Sequence, residues 1–302
     1  MRCRLRELKE RIHSIKNTQK ITEAMKLVAA ARVRRAQEAV INSRPFVEKL
    51  VEFLYVINEQ LQSDDIDVPL TNIRPVKKVA IVVITGDRGL CGGFNNAVIR
   101  KAETRMAELK DSGIDSVVIS VGKKGNAYFR RRNNVSVVSE EVDKVELVYS
   151  KFVSLLKSDP VIHTLLPLSV KGQVCNVNGS CVDAMEDELF RLTTKEGKLV
   201  VQRESVRFNE GGLSPLMLFE QDPVQILDAM MPLYLNSQIL RSLQESFASE
   251  TAARMSAMST ATDNADELKK NLSNVYNRER QAKITGEILE IVAGAEALRQ
   301  SD

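Results

Sequence analysis

Two of the four cysteines, Cys175 and Cys181, flank the dipeptide Asn178-Gly179. Asn-Gly is a strong two-residue turn signal, so the segment can fold back and bring the two thiols together. Zinc would need further ligands at matching spacing, and the chain has only His13 and His163. Metal binding is not expected. As a disulfide, so short a loop would contribute only roughly 2 kcal/mol in the chain-entropy model. That is weak for a staple and reasonable for a reversible switch. Two unlinked thiols in an exposed loop are the alternative. The acidic run Asp183, Glu186, Asp187 and Glu188 follows directly. It is either a solvated face or a surface that meets a basic partner in one redox state only.

A second place for chemistry is the loop Gly86-Asp87-Arg88-Gly89-Leu90-Cys91-Gly92-Gly93, which follows a strand-like run and precedes a helical stretch. Phosphate loops sit at such junctions. Its order is neither G-x-G-x-x-G nor G-x-x-x-x-G-K-[ST], so a tight turn with close backbone packing is the expectation. No His stands with a plausible nucleophile, and the carboxylates fall mostly on helix faces. The sequence offers no catalytic residue and implies no cofactor.

The elements that must position these residues have three textures. Residues 2–61 read as one long helix. Apolar or small residues at Leu5, Leu8, Ile12, Ile15, then Ala29, Val33, Ala36, Val40, then Val47, Leu50, Leu54, Ile57 and Leu61 step by three and four, the seam of a coiled coil. Between the first two runs the seam positions are Gln19, Thr22 and Lys26. The apolar stripe there moves to Ile21, Met25 and Val28, which predicts a local phase slip. Pro45 is expected to kink or interrupt the helix. Asp222-Pro223 is a helix start signal, and apolar spacing continues through Leu268, Leu272, Val275, Ile284, Ile288, Ile291, Ala295 and Leu298. The two ends are therefore expected to pair antiparallel into a shaft. Between them Val79–Ile84, Val117–Val121, Val145–Tyr149 and Val161–Leu166 read as strands of a small parallel or mixed α/β domain. His163 within the last of these is expected to be a core residue. The expected division is 1–75 shaft helix and linker, 76–168 α/β domain, 169–212 insert with the cysteine pair, and 213–302 second shaft helix.

Composition limits the rest. The 302 residues carry 43 basic and 40 acidic side chains, so the chain is not a polycation. Residues 1–44 nevertheless hold twelve Lys/Arg against four Asp/Glu, a face suited to an acidic partner. Interleaved aromatics, usual for nucleic-acid binding, are missing there. No apolar run approaches the roughly 18 residues needed to cross a bilayer. The first residues, Met1 to Leu5, are expected to start a helix and do not read as a secretory signal or an organelle leader, so an organellar protein would be represented here in processed or truncated form.

Several of these segments resemble a known family. Ile15-Lys16-Asn17-Thr18-Gln19-Lys20-Ile21-Thr22-Glu23-Ala24-Met25-Lys26-Leu27-Val28-Ala29-Ala30 is similar to the N-terminal signature of the F-type ATP synthase gamma subunit. Gly86 to Asn95 resembles its central loop. Ala261-Thr262-Asp263-Asn264-Ala265 and Arg280-Gln281-Ala282-Lys283-Ile284-Thr285 resemble its C-terminal signature. The cysteine segment, with Phe190 to Leu199 after it, is similar to the chloroplast form, which thioredoxin controls. The resemblance implies an α/β fold plus a long antiparallel coiled coil, acting as a non-catalytic rotor. Its implied partners are the alpha and beta head subunits, the epsilon subunit, the membrane c-ring and thioredoxin, on the stromal side of the thylakoid membrane. Carried over by motif, Cys175 and Cys181 are the redox switch and Glu186, Asp187 and Glu188 the regulatory acidic run. Met25, Lys26, Arg280, Gln281, Thr285 and Glu287 contact the catalytic subunits. Phe219, Glu220, Gln221 and Asp222 belong to the foot at the ring. One departure stands out. Between Arg132 and Val138 the family has an additional segment of roughly thirty residues, enough for a helix and its flanks. The competing reading is a coiled-coil adaptor or nucleic-acid-binding stalk, motivated by the basic N-terminal helix.

Overall fold

The computed structural model describes residues 2–63, 76–132, 142–166, 173–175, 181–183, 188–195, 198–205 and 223–299. In chain order the elements are α1 (Arg2–Ser63), β1 (Lys78–Ile84), α2 (Phe94–Asp111), β2 (Asp115–Val121), α3 (Lys123–Arg130), β3 (Lys144–Phe152), β4 (Ser158–Leu166), β5 (Gln173–Cys175), β6 (Cys181–Asp183), β7 (Glu188–Lys195), β8 (Lys198–Ser205) and α4 (Pro223–Arg299). The chain divides into two compact units: residues 1–32 with 254–302, and residues 33–253.

In the second unit the long helices meet through an apolar seam. On α1 the buried positions step by three and four through Val33, Ala36, Val40, Val47, Leu50, Leu54 and Ile57. Leu227, Met231 and Tyr234 of α4 close over Leu50, Leu54 and Ile57. Ala248 and Ala252 meet Val33, Ala36 and Val40. Early residues of one helix thus face late residues of the other, so the pair is antiparallel. Pro45 does not end α1, and Pro232 does not end α4. Losing a backbone bond at a mid-helix proline costs about 3 kcal/mol. Val40 and Val47, buried on either side of Pro45, offset that, since each fully buried aliphatic side chain contributes roughly 1.5–3 kcal/mol.

The same unit holds a four-stranded sheet of order β2-β1-β3-β4. β1 is parallel to both β2 and β3, and β4 is antiparallel to β3. The strands expected from the apolar runs are all present, each with slightly wider bounds. α2 covers one face: Val98, Ile99, Ala102 and Leu109 pack on Val79, Ile81, Val83, Val118 and Val148, joined by Phe129 of α3. On the opposite face Ile84, Leu147, Tyr149 and Leu165 pack with Leu235 of α4. Polar clamps fix the sheet to the helix pair. Arg44 donates to the Phe152 carbonyl (3.0 Å), and Ser249 to the Ser150 carbonyl (3.1 Å). Arg44 and Arg241 flank the fully buried Glu245 at 3.4 and 3.2 Å. β5–β6 and β7–β8 are separate two-stranded antiparallel ladders.

The first unit differs in kind. Gln19, Thr22 and Lys26 keep the heptad positions, and Thr22 is only 9% exposed. Thr262 of α4 hydrogen-bonds Thr22 at 2.8 Å, Gln19 donates to Asp266 (3.3 Å), and Lys269 donates to Gln19 (3.4 Å). The predicted phase slip therefore does not occur. The seam stays in step and becomes polar, while Ile21, Met25 and Val28 are exposed. The spacing read on α4 is corrected likewise. Leu268, Val275, Ile284, Ile288 and Ile291 are exposed and do not form the contact with α1. Polar pairing wins because Thr and Gln each find a partner across the seam, so their burial costs little.

Candidate functional site

In the first unit the seam mixes polar Thr22 with buried Ala29, Met258 and Ala265, and several apolar side chains face outward. Ile21, Met25, Leu27 and Val28 on α1 are exposed, as are Ile284, Ile288, Leu289, Ile291 and Val292 on α4. The two groups do not adjoin, because Thr22 faces Thr262 and Gln19 faces Asp266, well before Ile284 on α4; each is a separate exposed apolar stretch. Met25 lies in this outer stripe, 40% exposed. Lys26 holds a half-buried seam position. Arg280, Gln281, Thr285 and Glu287 are all exposed along α4, with Glu287 paired to Lys283 at 3.4 Å. Asp266, beside the polar seam, is held below the usual carboxylate range by the hydrogen bond from Lys270 (2.8 Å).

The cysteine pair falls in the second unit. The backbone pairs Cys175 of β5 directly opposite Cys181 of β6, with Val174 opposite Val182 and Gln173 opposite Asp183. Directly opposed residues of an antiparallel ladder have Cα atoms about 4.5–5.5 Å apart, inside the roughly 4.4–6.8 Å range of disulfides. The register thus meets the first geometric requirement for a bond between them. Glu188 begins β7. Glu186, Asp187, Phe219, Glu220, Gln221 and Asp222 lie outside the described residues, as does the Asn178-Gly179 turn.

The 85–93 loop is tied to the elements beside it. Gly86 N–H donates to the Asn95 side chain (2.8 Å), Thr85 N–H to the Val121 carbonyl (2.8 Å), and Lys123 N–H to Asp87 (2.9 Å). Cys91 is buried, and Asn95 donates to its sulfur at 3.2 Å. A methyl group on Gly86 would lie 2.8 Å from the Glu250 carboxylate carbon. With the Gly86 amide already bonded to Asn95 and the Glu250 carboxylate against it, this turn is a poor place for an anion. The loop is the tight turn expected. Among the described residues no cluster of His, Cys, Asp and Glu could hold a metal ion, and no helix is long and apolar enough to cross a membrane.

Sequence reasoning missed two buried ionic sites, Glu245 between Arg44 and Arg241 and a second one at Glu146. Glu146 of β3 lies on the face beneath α2, 1% exposed. Arg105 of α2 donates to both its oxygens (2.8 and 2.7 Å), and Lys144 pairs at 2.9 Å. Burial pushes this carboxyl up, but the Arg105 and Lys144 hydrogen bonds outweigh burial and hold it below its usual value. The alternation Val145-Glu146-Leu147 in a parallel strand was the available signal, since both faces of such a strand are covered.

The ATP synthase family model matches residues 4–140 and 135–298. The chain is 67% identical over 324 residues to the ATP synthase subunit gamma, chloroplastic, of Zea mays, covering 99% of this chain and 90% of that one. It is 68% identical over 323 residues to the ATP synthase gamma chain 1, chloroplastic, of Arabidopsis thaliana, covering 98% and 87%. The fold resembles a chain of the mitochondrial ATP synthase of Euglena gracilis, in an OSCP/F1/c-ring structure. The TM-score there is 0.60 at 16% identity, with 99% and 95% of the two chains covered. The chain belongs to the ATP synthase gamma subunit family.

Proposed function

We propose that this chain is the non-catalytic central rotor shaft of a proton-translocating F-type ATP synthase in chloroplasts, peripheral on the stromal side of the thylakoid membrane. The observation that supports it best is the antiparallel meeting of two long terminal helices in a chain 67% identical to a chloroplastic ATP synthase gamma subunit. Such a helix pair suits a closely fitting protein sleeve. In this reading the sleeve is the ring of alpha and beta subunits. Met25, Lys26, Arg280, Gln281, Thr285 and Glu287 meet its moving loops, and rotation offers each catalytic subunit a different side of an asymmetric surface in turn. The foot at Phe219, Glu220, Gln221 and Asp222 rests on the c-ring, beside the epsilon subunit. The divisions 1–75, 76–168, 169–212 and 213–302 then correspond to shaft, α/β domain, regulatory insert and shaft.

The opposed Cys175 and Cys181 support a dithiol switch served by thioredoxin, with Glu186, Asp187 and Glu188 as the surface it presents or withdraws. The bond forms as two thiols lose two electrons and two protons to an external disulfide, and thioredoxin's dithiol reverses it. Reconstitution with alpha and beta subunits tests both parts. ATPase activity of the oxidised complex should rise on adding a dithiol reductant, and a Cys175→Ser complex should not respond. Arg280→Ala with Gln281→Ala should lower ATP hydrolysis coupled to rotation while assembly persists. A complex indifferent to that pair of substitutions overturns the contact assignment, and an equal reductant response in Cys175→Ser overturns the switch.

A further inference from the structure

Within the second unit the two long helices and the sheet meet where three elements share side chains. Phe152, at the end of β3, packs among Val33, Ala36 and Val40 of α1 and Ala248 and Ala252 of α4. Apolar contact of this kind is non-directional. It resists separation of the elements and leaves the angle between them loosely set. The hydrogen bonds beside the cluster are directional. Arg44 of α1 reaches both other elements at once, through different nitrogens. Its guanidinium donates to the Phe152 carbonyl of β3 (3.0 Å) and pairs with Glu245 of α4 (3.4 Å). Arg241, one turn earlier on α4, pairs with the same Glu245 oxygen (3.2 Å). One turn later, Ser249 donates to the Ser150 carbonyl of β3 (3.1 Å).

Stability alone would not select this arrangement. Glu245 is fully buried, and its Oε2 has no hydrogen-bond partner among the described residues. Both arginines converge on Oε1, at distances longer than the roughly 2.7–2.9 Å of a strong charged hydrogen bond. Taking charges out of water is costly, and well-packed apolar side chains of like volume often hold a core as well. What the network supplies instead is orientation. Arg44 cannot keep its bonds to Phe152 and Glu245 together if the sheet turns against the helix pair, and Ser249 places a second such bond one turn further along α4.

We propose that Arg44, with Glu245 and Ser249, is a positioning joint that transmits twist between the α/β domain and the two long helices. It rests on the rotor reading and deepens it. A load applied to the sheet reaches the helix pair through these directional bonds, while the small apolar side chains around Phe152 keep the elements from parting. Arg44 acts by holding β3 at a fixed angle to α1 and α4, not by touching a partner.

The test uses the complex reconstituted with alpha and beta subunits, its head fixed to a surface. A bead is attached to the α/β domain at Asp111→Cys, an exposed position, in a chain carrying Cys3→Ser, Cys175→Ser and Cys181→Ser. The readout is the angular fluctuation of the bead during a catalytic pause. Arg44→Gln with Ser249→Ala should raise its variance at least about twofold, because both hydrogen bonds to the β3 carbonyls are lost. Arg44→Lys keeps the charge without the planar fork, and its variance should fall between. Ile57→Ala weakens the same helix pair away from the joint and should leave the variance unchanged. A second measurement needs no assembly. Spin labels at Asn42→Cys and Asp111→Cys of the full-length chain, in the same serine background, should give one narrow distance that the double substitution broadens. An unchanged variance or an unchanged distance distribution in the double variant overturns the proposal, and so does equal broadening by Ile57→Ala. If the unsubstituted chain forms no rotating complex, the rotor reading fails, and the spin-label distances still decide the joint.

Discussion

Replacing Glu146 is the sharpest test of how the α/β sheet is held together. This carboxylate is effectively sealed from water, and it receives two hydrogen bonds from Arg105 and one from Lys144. Arg105 is itself 11% exposed, and its remaining partner, Glu108, lies at 3.2 Å nearer the surface. Glu146→Ala would leave a buried guanidinium with half its partners gone. Breaking a buried pair in this way costs roughly 3–5 kcal/mol. Glu146→Gln keeps the shape and loses the charge, so a smaller loss of about 1.5–3 kcal/mol is expected. Hydrogen exchange at β1 and β3 amides reads the sheet directly, apart from the long helices. The pH dependence gives a second handle. The folded carboxyl titrates below its unfolded value, so its stabilisation is complete above the unfolded value and fades as pH falls through the folded one. The gap between wild type and Glu146→Gln should therefore be widest near neutrality and close in acid. A gap constant from neutral to strongly acidic pH would refute the electrostatic account. So would a double Glu146→Leu, Arg105→Leu variant that loses as much as Glu146→Ala, because removing both charges together should recover most of the loss.

Other expectations follow from single contacts. Ile57→Ala, at a fully buried seam position against Leu227 and Met231, should cost roughly 2–5 kcal/mol, read as the denaturation midpoint of the second unit. Gly122→Ala should cost at least about 2 kcal/mol, because φ is +102° and the new methyl would lie 2.1 Å from the Thr85 carbonyl oxygen, which is backbone; exchange at β2 and α3 amides reports it. Thr22→Val and Thr262→Val should each destabilise the first unit by about 1 kcal/mol, while the double variant loses less than the sum, measured as a thermal double-mutant cycle.

Much of this architecture was legible because its signals are long or blunt. Sixty residues of three-and-four spacing announce a helix even with a proline inside. Val79–Ile84 cannot be anything but a covered strand once a turn follows it. The polar seam was harder. Gln19, Thr22 and Lys26 look like a break when apolar spacing alone is followed, since Ile21, Met25 and Val28 offer a competing stripe. Only partners on α4, some 240 residues away in sequence, decide which stripe faces inward. α3 escaped notice because Lys123-Lys124-Gly125-Asn126 carries little helical signal. Its start is fixed by tertiary contacts: Asp87 accepts from Lys123 N–H, and Thr85 accepts from Gly125 N–H. Asn178-Gly179 signalled that the segment folds back, but a two-residue turn there would set Cys175 opposite Val182, so the observed pairing of Cys175 with Cys181 was not legible in it.

The contrast between the two units also bears on where strength is needed. In the second unit Leu54, Ile57, Leu227 and Met231 form an apolar seam, and each fully buried side chain there contributes roughly 1.5–3 kcal/mol. In the first unit hydrogen bonds among Thr22, Thr262, Gln19, Asp266 and Lys269, each worth only about 0.5–1.5 kcal/mol net, stand beside a few mostly small buried side chains, Ala29, Met258 and Ala265. The first unit therefore has the weaker grip on itself, while Ile21, Met25 and Val28 lie outside its seam. A protein at work alone would be expected to reverse that allocation. A shaft held by a sleeve has reason to keep it, because the apolar stripes then gain their burial from the surroundings, while the polar seam fixes which side of each helix looks outward. The cost falls on the unassembled chain, whose first unit should exchange its amides faster than the second until the sleeve closes round it.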